Sequence, residues 1–315
     1  MDTVVAPDNS PANLNPLSRG FAVLAALTFC LIVVGALVRA NGAGLACPDW
    51  PLCFGKVIPE FDLKVAFEWG HRVFASFISL GLLVLSVMSW RVPAMRRRLR
   101  AVWLLLAVQI VFGGLTVLLS LAPWTVSVHL ILGNLFCLSL LWISRDLAED
   151  FGARRRVLEI PAALVWLVMA VAVTVGLQMV LGGWVSSHYA GLACIDFPTC
   201  DGKEIVPTLE GGVGMHVLHR LNAFVLLALY AALAFLARAR GRVGLFAQWG
   251  LGLTLVQIGA GVANVLLLLP IPLTALHSAL AAAIVLATAM LVREALGARS
   301  APVEVNPEPQ MVEVR

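Results

Sequence analysis

One segment of the chain occurs twice, and it carries polar residues that an apolar sequence otherwise lacks. Residues 35–53, GALVRANGAGLACPDWPLC, return as residues 182–200, GGWVSSHYAGLACIDFPTC, 147 positions later. After a one-residue slip, Glu68-Trp-Gly-His71-Arg72 falls on His216-Val-Leu-His219-Arg220. In the same register Gln109 falls on Gln257, and His129 falls on His277. The two histidines of each copy are 58 residues apart. A duplicated unit with two histidines in matching places calls for two equivalent sites, each using a pair of imidazoles.

Hydrophobic residues make up 60% of the 315 positions and charged residues only 13%, with a mean hydropathy of +0.93. A soluble domain cannot hide that much apolar surface, so the chain reads as an all-α polytopic membrane protein. The net charge of +4 is too small to point to nucleic acid, and the partner it does imply is the lipid bilayer. Apolar runs long enough to span lie near 20–38, 66–90, 101–121, 125–144, 161–183, 213–236, 245–268 and 272–292. They predict eight transmembrane helices, arranged as two tandem four-helix bundles. Trp69, Trp90, Trp103, Trp124, Trp142 and Trp184 lie near the predicted ends, as an interfacial aromatic belt requires.

Arginine sets the orientation. Arg91, Arg96, Arg97, Arg98 and Arg100 follow the second helix, and Arg145, Arg154, Arg155 and Arg156 follow the fourth. Arg238, Arg240 and Arg242 follow the sixth, with Arg293 and Arg299 after the eighth. The alternate loops, 39–65 and 184–212, carry only Arg39, Lys56, Lys64 and Lys203 as cations. The positive-inside rule then places both termini in the cytoplasm and both long loops outside. An even helix count gives the halves one orientation, so a pseudo-twofold axis along the membrane normal is expected. The organisation predicted is a tail over 1–19, a repeat over 20–146, a linker over 147–160, a second repeat over 161–295 and a tail over 296–315. Both tails have the composition of disordered segments, and the first apolar run reads as a retained helix rather than a cleaved signal.

Each long loop holds a cysteine pair, Cys47 with Cys53 and Cys194 with Cys200, each separated by five residues. Outside the cytoplasm such pairs can form disulfides that staple a short loop. A redox-active thiol pair serving the site below is the sharper reading, and the spacing is unlike that of a metal site. Cys30 and Cys137 fall inside helices and read as small buried hydrophobes.

In the predicted topology His71, His129, His219 and His277 lie near the outer ends of helices 2, 4, 6 and 8. Histidine within a membrane span is costly unless paired or liganded. One such residue is explained by a hydrogen bond between helices, but four in a duplicated pattern are not. Helices 2 and 4 run in the same direction, so their outer ends can face each other across a bundle. Neutral imidazole is a good ligand for iron, and bundle cores hold haem. Two bis-histidine haem sites are therefore expected, one in each half.

Glu68 shares a helix face with His71 one turn away. It is either a solvated carboxylate at the membrane edge or an acid/base group beside the first site. His216 replaces it in the second half, so the halves differ in chemistry where they agree in ligation, and 58-residue spacing favours His219 over His216 as the ligand. His188 reads as an exposed loop residue. Arg72 and Arg220 could pair with haem propionates or serve as interfacial anchors. Gln109 and Gln257 are followed by Gly113-Gly114 and Gly259-Ala260-Gly261, which allow either a helix or a flat macrocycle to come close.

Taken together, the GLACPDWPLC loop, the E-W-G-H-R stretch at 68–72, His129, His219, His277 and the fourfold-helix duplication resemble haem A synthase. That bacterial and mitochondrial membrane enzyme supplies haem A to cytochrome oxidases, and the likeness runs over about residues 20–295. The resemblance implies oxidation of the C8 methyl of haem O to a formyl group, giving haem A. It implies that the N-terminal half, around Glu68, His71 and His129, receives haem O as substrate. The C-terminal half would hold a resident haem B on His219 and His277. Glu68 would be the residue most directly in the chemistry, with Cys47 and Cys53 contributing from the outer loop. To Cys194, Cys200 and His216 the resemblance carries no role. It also implies an inner-membrane location, haem O synthase and oxidase assembly factors as partners, and is compatible with a homo-oligomer. A di-haem electron-transfer protein would use the same four histidines without altering either haem. A transporter built on a parallel repeat would bind none.

Overall fold

The computed structural model describes residues 15–60, 62–149 and 160–297. Of the predicted tails over 1–19 and 296–315, residues 1–14 and 298–315, Arg299 among them, lie outside the described residues, as do the linker arginines Arg154, Arg155 and Arg156. The described residues form eight long α-helices: α1 (Asn15–Ala40), α2 (Leu63–Ser89), α3 (Pro93–Leu118), α4 (Pro123–Glu149), α5 (Ala162–Ser187), α6 (Gly211–Leu236), α7 (Gly241–Leu266) and α8 (Ile271–Gly297). All eight are long and apolar enough to cross a membrane. The chain is an all-α polytopic membrane protein.

Several helices outrun the apolar stretches that predict them. The first begins at Asn15 rather than residue 20, so Ser18 and Arg19 are helical rather than part of a tail. Proline near a helix start loses no hydrogen bond, so Pro16 does not delay it. Similarly α3 starts at Pro93, with Arg96, Arg97, Arg98 and Arg100 on its first turns. A hydropathy window excludes these cations, yet arginine is a good helix former. Asp62 caps α2 by accepting the Val65 N–H at 2.8 Å.

The expected run to 121 ends earlier because the chain reverses sharply. Ser120 and Leu121 take left-handed φ values of 50° and 59°, and Leu268 and Leu269 repeat them with 58° and 60°. The Leu121 N–H then bonds back to the Thr116 carbonyl, and the Leu269 N–H to that of Asn264, both at 2.7 Å. A left-handed turn costs on the order of 1–2 kcal/mol per non-glycine residue, and packing offsets it. Leu121 lies on Gly44, and Leu269 on Gly191, where an added Cβ would meet leucine methyls at 3.4 and 3.1 Å. Those glycines belong to the repeated A-G-L-A-C stretch, so the motif is partly a seat for these turns.

Within residues 15–149, α1 packs on α2 and α4, and α3 packs on α4. In the second half α5 packs on α6 and α8, and α7 on α6 and α8. The halves meet where α1 touches α8 and where α4 touches α5 and α8. One core cluster gathers Phe21, Leu82, Leu99, Leu140 and Leu147, and a second gathers Val168, Tyr230, Leu233 and Leu291. Each fills the bundle end far from the long loops and leaves the loop end to polar side chains.

The halves differ in one packing detail. The α6 and α7 helices are closely packed, whereas α2 and α3 barely meet. At Gly250 in α7 the Tyr230 ring fills the space a Cβ would need, only 2.1 Å from Tyr230 Cε1. The Tyr230 hydroxyl pairs with Thr288 at 2.6 Å. In the first half the corresponding residues are Val102, Leu82 and Leu140, and a branched valine cannot admit a ring so closely. Trp103, expected in an aromatic belt, instead lies within α3 and donates its indole N–H to Ser86 of α2 at 3.0 Å. Cys30, expected to be buried, is exposed on α1, on a face that lipid rather than protein would cover; Cys137 is buried.

Candidate haem-binding site

Each of the four predicted histidines rests its ring on a glycine of the preceding helix. His71 of α2 lies over Gly35 of α1, and His129 of α4 over Gly113 of α3. His219 of α6 lies over Gly182 of α5, and His277 of α8 over Gly261 of α7. A Cβ on these glycines would stand 3.2, 3.1, 3.0 and 3.2 Å from the imidazole Cε1, in that order. Only glycine leaves room for a ring at that depth. His71 lies within electrostatic range of His129, and His219 within range of His277.

The Nδ1 atoms of His71, His129 and His277 are buried and make no hydrogen bond among the described residues, and the same is true of Gln109 Oε1 and Gln257 Oε1. Gln109 Nε2 lies where a Cβ on Gly133 would be, at 3.1 Å. No cluster of three or more His, Cys, Asp or Glu side chains suited to a metal ion occurs among the described residues. Paired imidazoles on glycine seats within apolar bundles would suit a haem, each pair offering its iron two ring nitrogens.

His219 is held differently. Gln178 of α5 lies against the His219 ring, its amide nitrogen 3.2 Å from Nδ1 and 3.5 Å from Nε2, and donates to the His219 carbonyl at 3.2 Å. Asn222 in turn donates to Gln178 Oε1 at 2.7 Å and to the Thr174 carbonyl at 3.2 Å. Neither Gln178 nor Asn222 stands out in the sequence, because Leu31 and Phe74 occupy those places in the first copy.

Above the histidines both cysteine pairs are disulfide-bonded, Cys47–Cys53 with an S–S length of 2.01 Å and Cys194–Cys200 with 2.06 Å. Glu68 is not a solvated carboxylate: it is 5% exposed. Its Oε2 accepts the Cys47 N–H at 2.8 Å, and its Oε1 takes a hydrogen bond from Arg72 at 2.5 Å. His216 has the same station in the second loop, where its Nδ1 accepts the Cys194 N–H at 3.3 Å.

The arginines reach into the loops as well. Arg72 donates to the Asp49 and Leu52 carbonyls at 2.8 and 2.7 Å, and Arg220 to those of Thr199 and Cys194 at 3.1 and 3.2 Å. Each guanidinium therefore pins a loop, a role that spacing alone did not reveal. On the same first loop Trp50 lies on Gly114, beside the seat of His129, with its Cδ2 3.1 Å from an added Cβ. Asp49 braces the loop by accepting the Phe54 and Gly55 N–H groups at 2.6 and 2.8 Å. The Gly55 amide, with help from that of Phe54, holds the Asp49 carboxyl below its usual 3.8. Among the described residues His188 is exposed and bonds locally, to the Trp184 carbonyl and the Ser187 hydroxyl.

The profile of COX15-CtaA, cytochrome oxidase assembly protein, matches residues 19–64 and 58–289. A haem A synthase of Shewanella oneidensis is 30% identical over 309 residues, covering 82% of this chain and 90% of its own. Those of Shouchella clausii and Bradyrhizobium diazoefficiens are 28% and 27% identical, covering 79% and 92% of this chain and 86% and 93% of theirs. With a match across nearly all of its helical body, the chain belongs to the COX15-CtaA family of cytochrome oxidase assembly proteins.

Proposed function

We propose that this protein is a haem A synthase, an oxidoreductase that converts the C8 methyl of haem O to the formyl group of haem A. The observation that carries the proposal is the doubled pair of imidazoles on glycine seats, with a buried carboxylate above only one pair. In this reading residues 20–146 and 161–295 form two four-helix bundles about an axis along the membrane normal. His71 and His129 hold haem O as substrate, and His219 and His277 hold haem B as the resident cofactor. Both termini lie in the cytoplasm and both disulfide loops on the outer face of the inner membrane.

The difference between the halves supports that division. The loose contact between α2 and α3 leaves the first bundle easier to part, which suits a ligand that must enter and leave. The second is closed by Tyr230 on Gly250, which suits a permanent occupant.

When bound, the resident haem supplies one-electron redox chemistry. The chain's own residues do the rest. His71 and His129 fix the substrate macrocycle, and the Cys47–Cys53 loop, pinned by Arg72, roofs the site against water. Trp50, on that loop, covers α3 beside His129. Glu68, one turn of α2 from His71, is placed to take protons as the methyl is oxidised. Arg72 holds it in position through Oε1, and the Cys47 N–H through Oε2. Haem O synthase upstream and oxidase assembly factors downstream complete the proposed setting.

The test is to purify the protein from cells that also make haem O, and to identify the extracted haems by chromatography and mass spectrometry. Haem B together with haem O or haem A is the expected result. Haem B alone, from membranes containing haem O, would favour a di-haem electron-transfer protein. A colourless protein would overturn the haem reading altogether.

A further inference from the structure

We infer that Gln178, held by Asn222, is the positioning residue that makes the second haem site retentive, and that Leu31 and Phe74 make the first site exchangeable. The inference rests on the haem-binding reading above.

Its basis is a comparison of matched positions. The two α5 and α6 residues nearest His219 in this network are polar and mutually bonded, from Thr174 through Asn222 and Gln178 to the ring and carbonyl of His219. In the first half Leu31 and Phe74 pack instead against the apolar core, and the Nδ1 of His71 has no hydrogen-bond partner among the described residues. The glycine seats, by contrast, are alike in all four places. The halves therefore share the cradle and differ in what fixes the ring within it.

A histidine that binds a metal through Nε2 carries its proton on Nδ1, so Gln178 holds His219 there by turning its amide oxygen to Nδ1; losing such a partner typically weakens metal binding 10–100-fold. Gln178 reaches both the ring and the backbone of one residue, so it opposes rotation about the side-chain bonds of His219. Asn222 restrains the amide that does so. Because neither residue is charged, the hold persists across the physiological pH range. His71, lacking it, can turn away from a departing ligand at lower cost. A site that must release its product gains from that freedom, whereas a resident cofactor does not.

The experiment measures haem loss from the full-length protein in detergent to excess apomyoglobin, site by site. A His71→Ala background isolates the second site, and a His219→Ala background isolates the first. In the first background Gln178→Leu should speed haem loss roughly tenfold or more. It should also shift the low-spin electron paramagnetic resonance signal, which reports the angle between the two imidazole planes. Gln178→Glu, which keeps a hydrogen-bonding group at the same reach, should restore slow loss. In the second background Leu31→Gln with Phe74→Asn should slow haem loss from the first site. Unchanged loss rates and an unchanged resonance signal in Gln178→Leu would overturn the inference while leaving the haem sites in place. Absence of haem from the wild-type protein would instead overturn the function proposed above, and this inference with it.

Discussion

Glu68 and Arg72 form an ion pair of 2.5 Å between consecutive turns of α2, beneath the first disulfide loop. Both side chains are largely buried, at 6% and 16% exposure. Breaking one partner of such a pair costs on the order of 3–5 kcal/mol, because the other is left buried and unpaired. Glu68→Ala should therefore abolish haem A formation and also lower the melting temperature. Glu68→Gln, which can still accept the Cys47 N–H, should recover much of the stability without the activity. If Glu68→Gln made haem A at the wild-type rate, the carboxylate would have only a structural role.

The glycine seats give a second prediction. Gly182→Leu should eliminate haem from the second half, and Gly113→Leu from the first, because the added side chain enters the space of the imidazole. Gly176 shares α5 with Gly182, and Gly259 shares α7 with the seat Gly261, but a Cβ at either meets nothing within 4 Å. Leucine at those two positions should leave haem content unchanged. Haem per protein from pyridine haemochrome spectra, compared with protein recovered in the membrane, separates lost binding from lost folding.

At the opposite end of the helices Asp146 of α4 accepts from Arg98 of α3 at 2.5 Å and from Arg293 of α8. It thus joins the two halves. Asp146→Asn should cost on the order of 3 kcal/mol through the buried Arg293, seen as a lower melting temperature with both haem sites still filled. Loss of haem without loss of thermal stability would contradict this.

Acid should loosen the first loop at Asp49. Its carboxyl lies below the usual 3.8 because the Gly55 and Phe54 amides bond to its charged form. A lowered carboxylate value means that its contribution is complete above 3.8 and is lost as pH falls through the lowered value. Amide protection at Phe54 and Gly55, corrected for intrinsic exchange, should hold steady down to that range and then fall. Asp49→Asn should remove the pH dependence. Asp196, held low by the Phe197 N–H and the Thr199 hydroxyl, should behave alike in the second loop.

Hydropathy and repetition made much of this legible in the sequence. The helix count follows from apolar runs, and the four histidines declare themselves by equal spacing within a duplicated unit. Gly113 and Gly261 are noticeable beside Gln109 and Gln257, but Gly35 and Gly182 read only as part of a motif. Their purpose depends on which face of α1 meets α2, a fact of packing rather than of spacing. Gln178 and Asn222 escaped for the opposite reason: a search for repeated residues passes over positions where the copies disagree. Arg72 and Arg220 invite a guess about propionates because sequence does not give the path of a loop, whose carbonyls here turn back over the helix. The arginines of α3 misled the boundary because hydropathy measures affinity for lipid, whereas a helix continues wherever its backbone bonds can.

Arg39 of α1 crosses to α5, where its Nε donates to the Ser186 hydroxyl at 2.8 Å, its other nitrogen bonds the Ser186 carbonyl, and its guanidinium lies 4.7 Å from the Tyr189 ring centre. Ser186 is the residue that corresponds to Arg39 in the duplicated segment. Two identical halves would have set arginine against arginine here, or serine against serine, and neither pairing makes this bond. The link thus postdates the equality of the copies. A molecule reassembled from two of either half would lack this link, so at this contact the copies are no longer interchangeable.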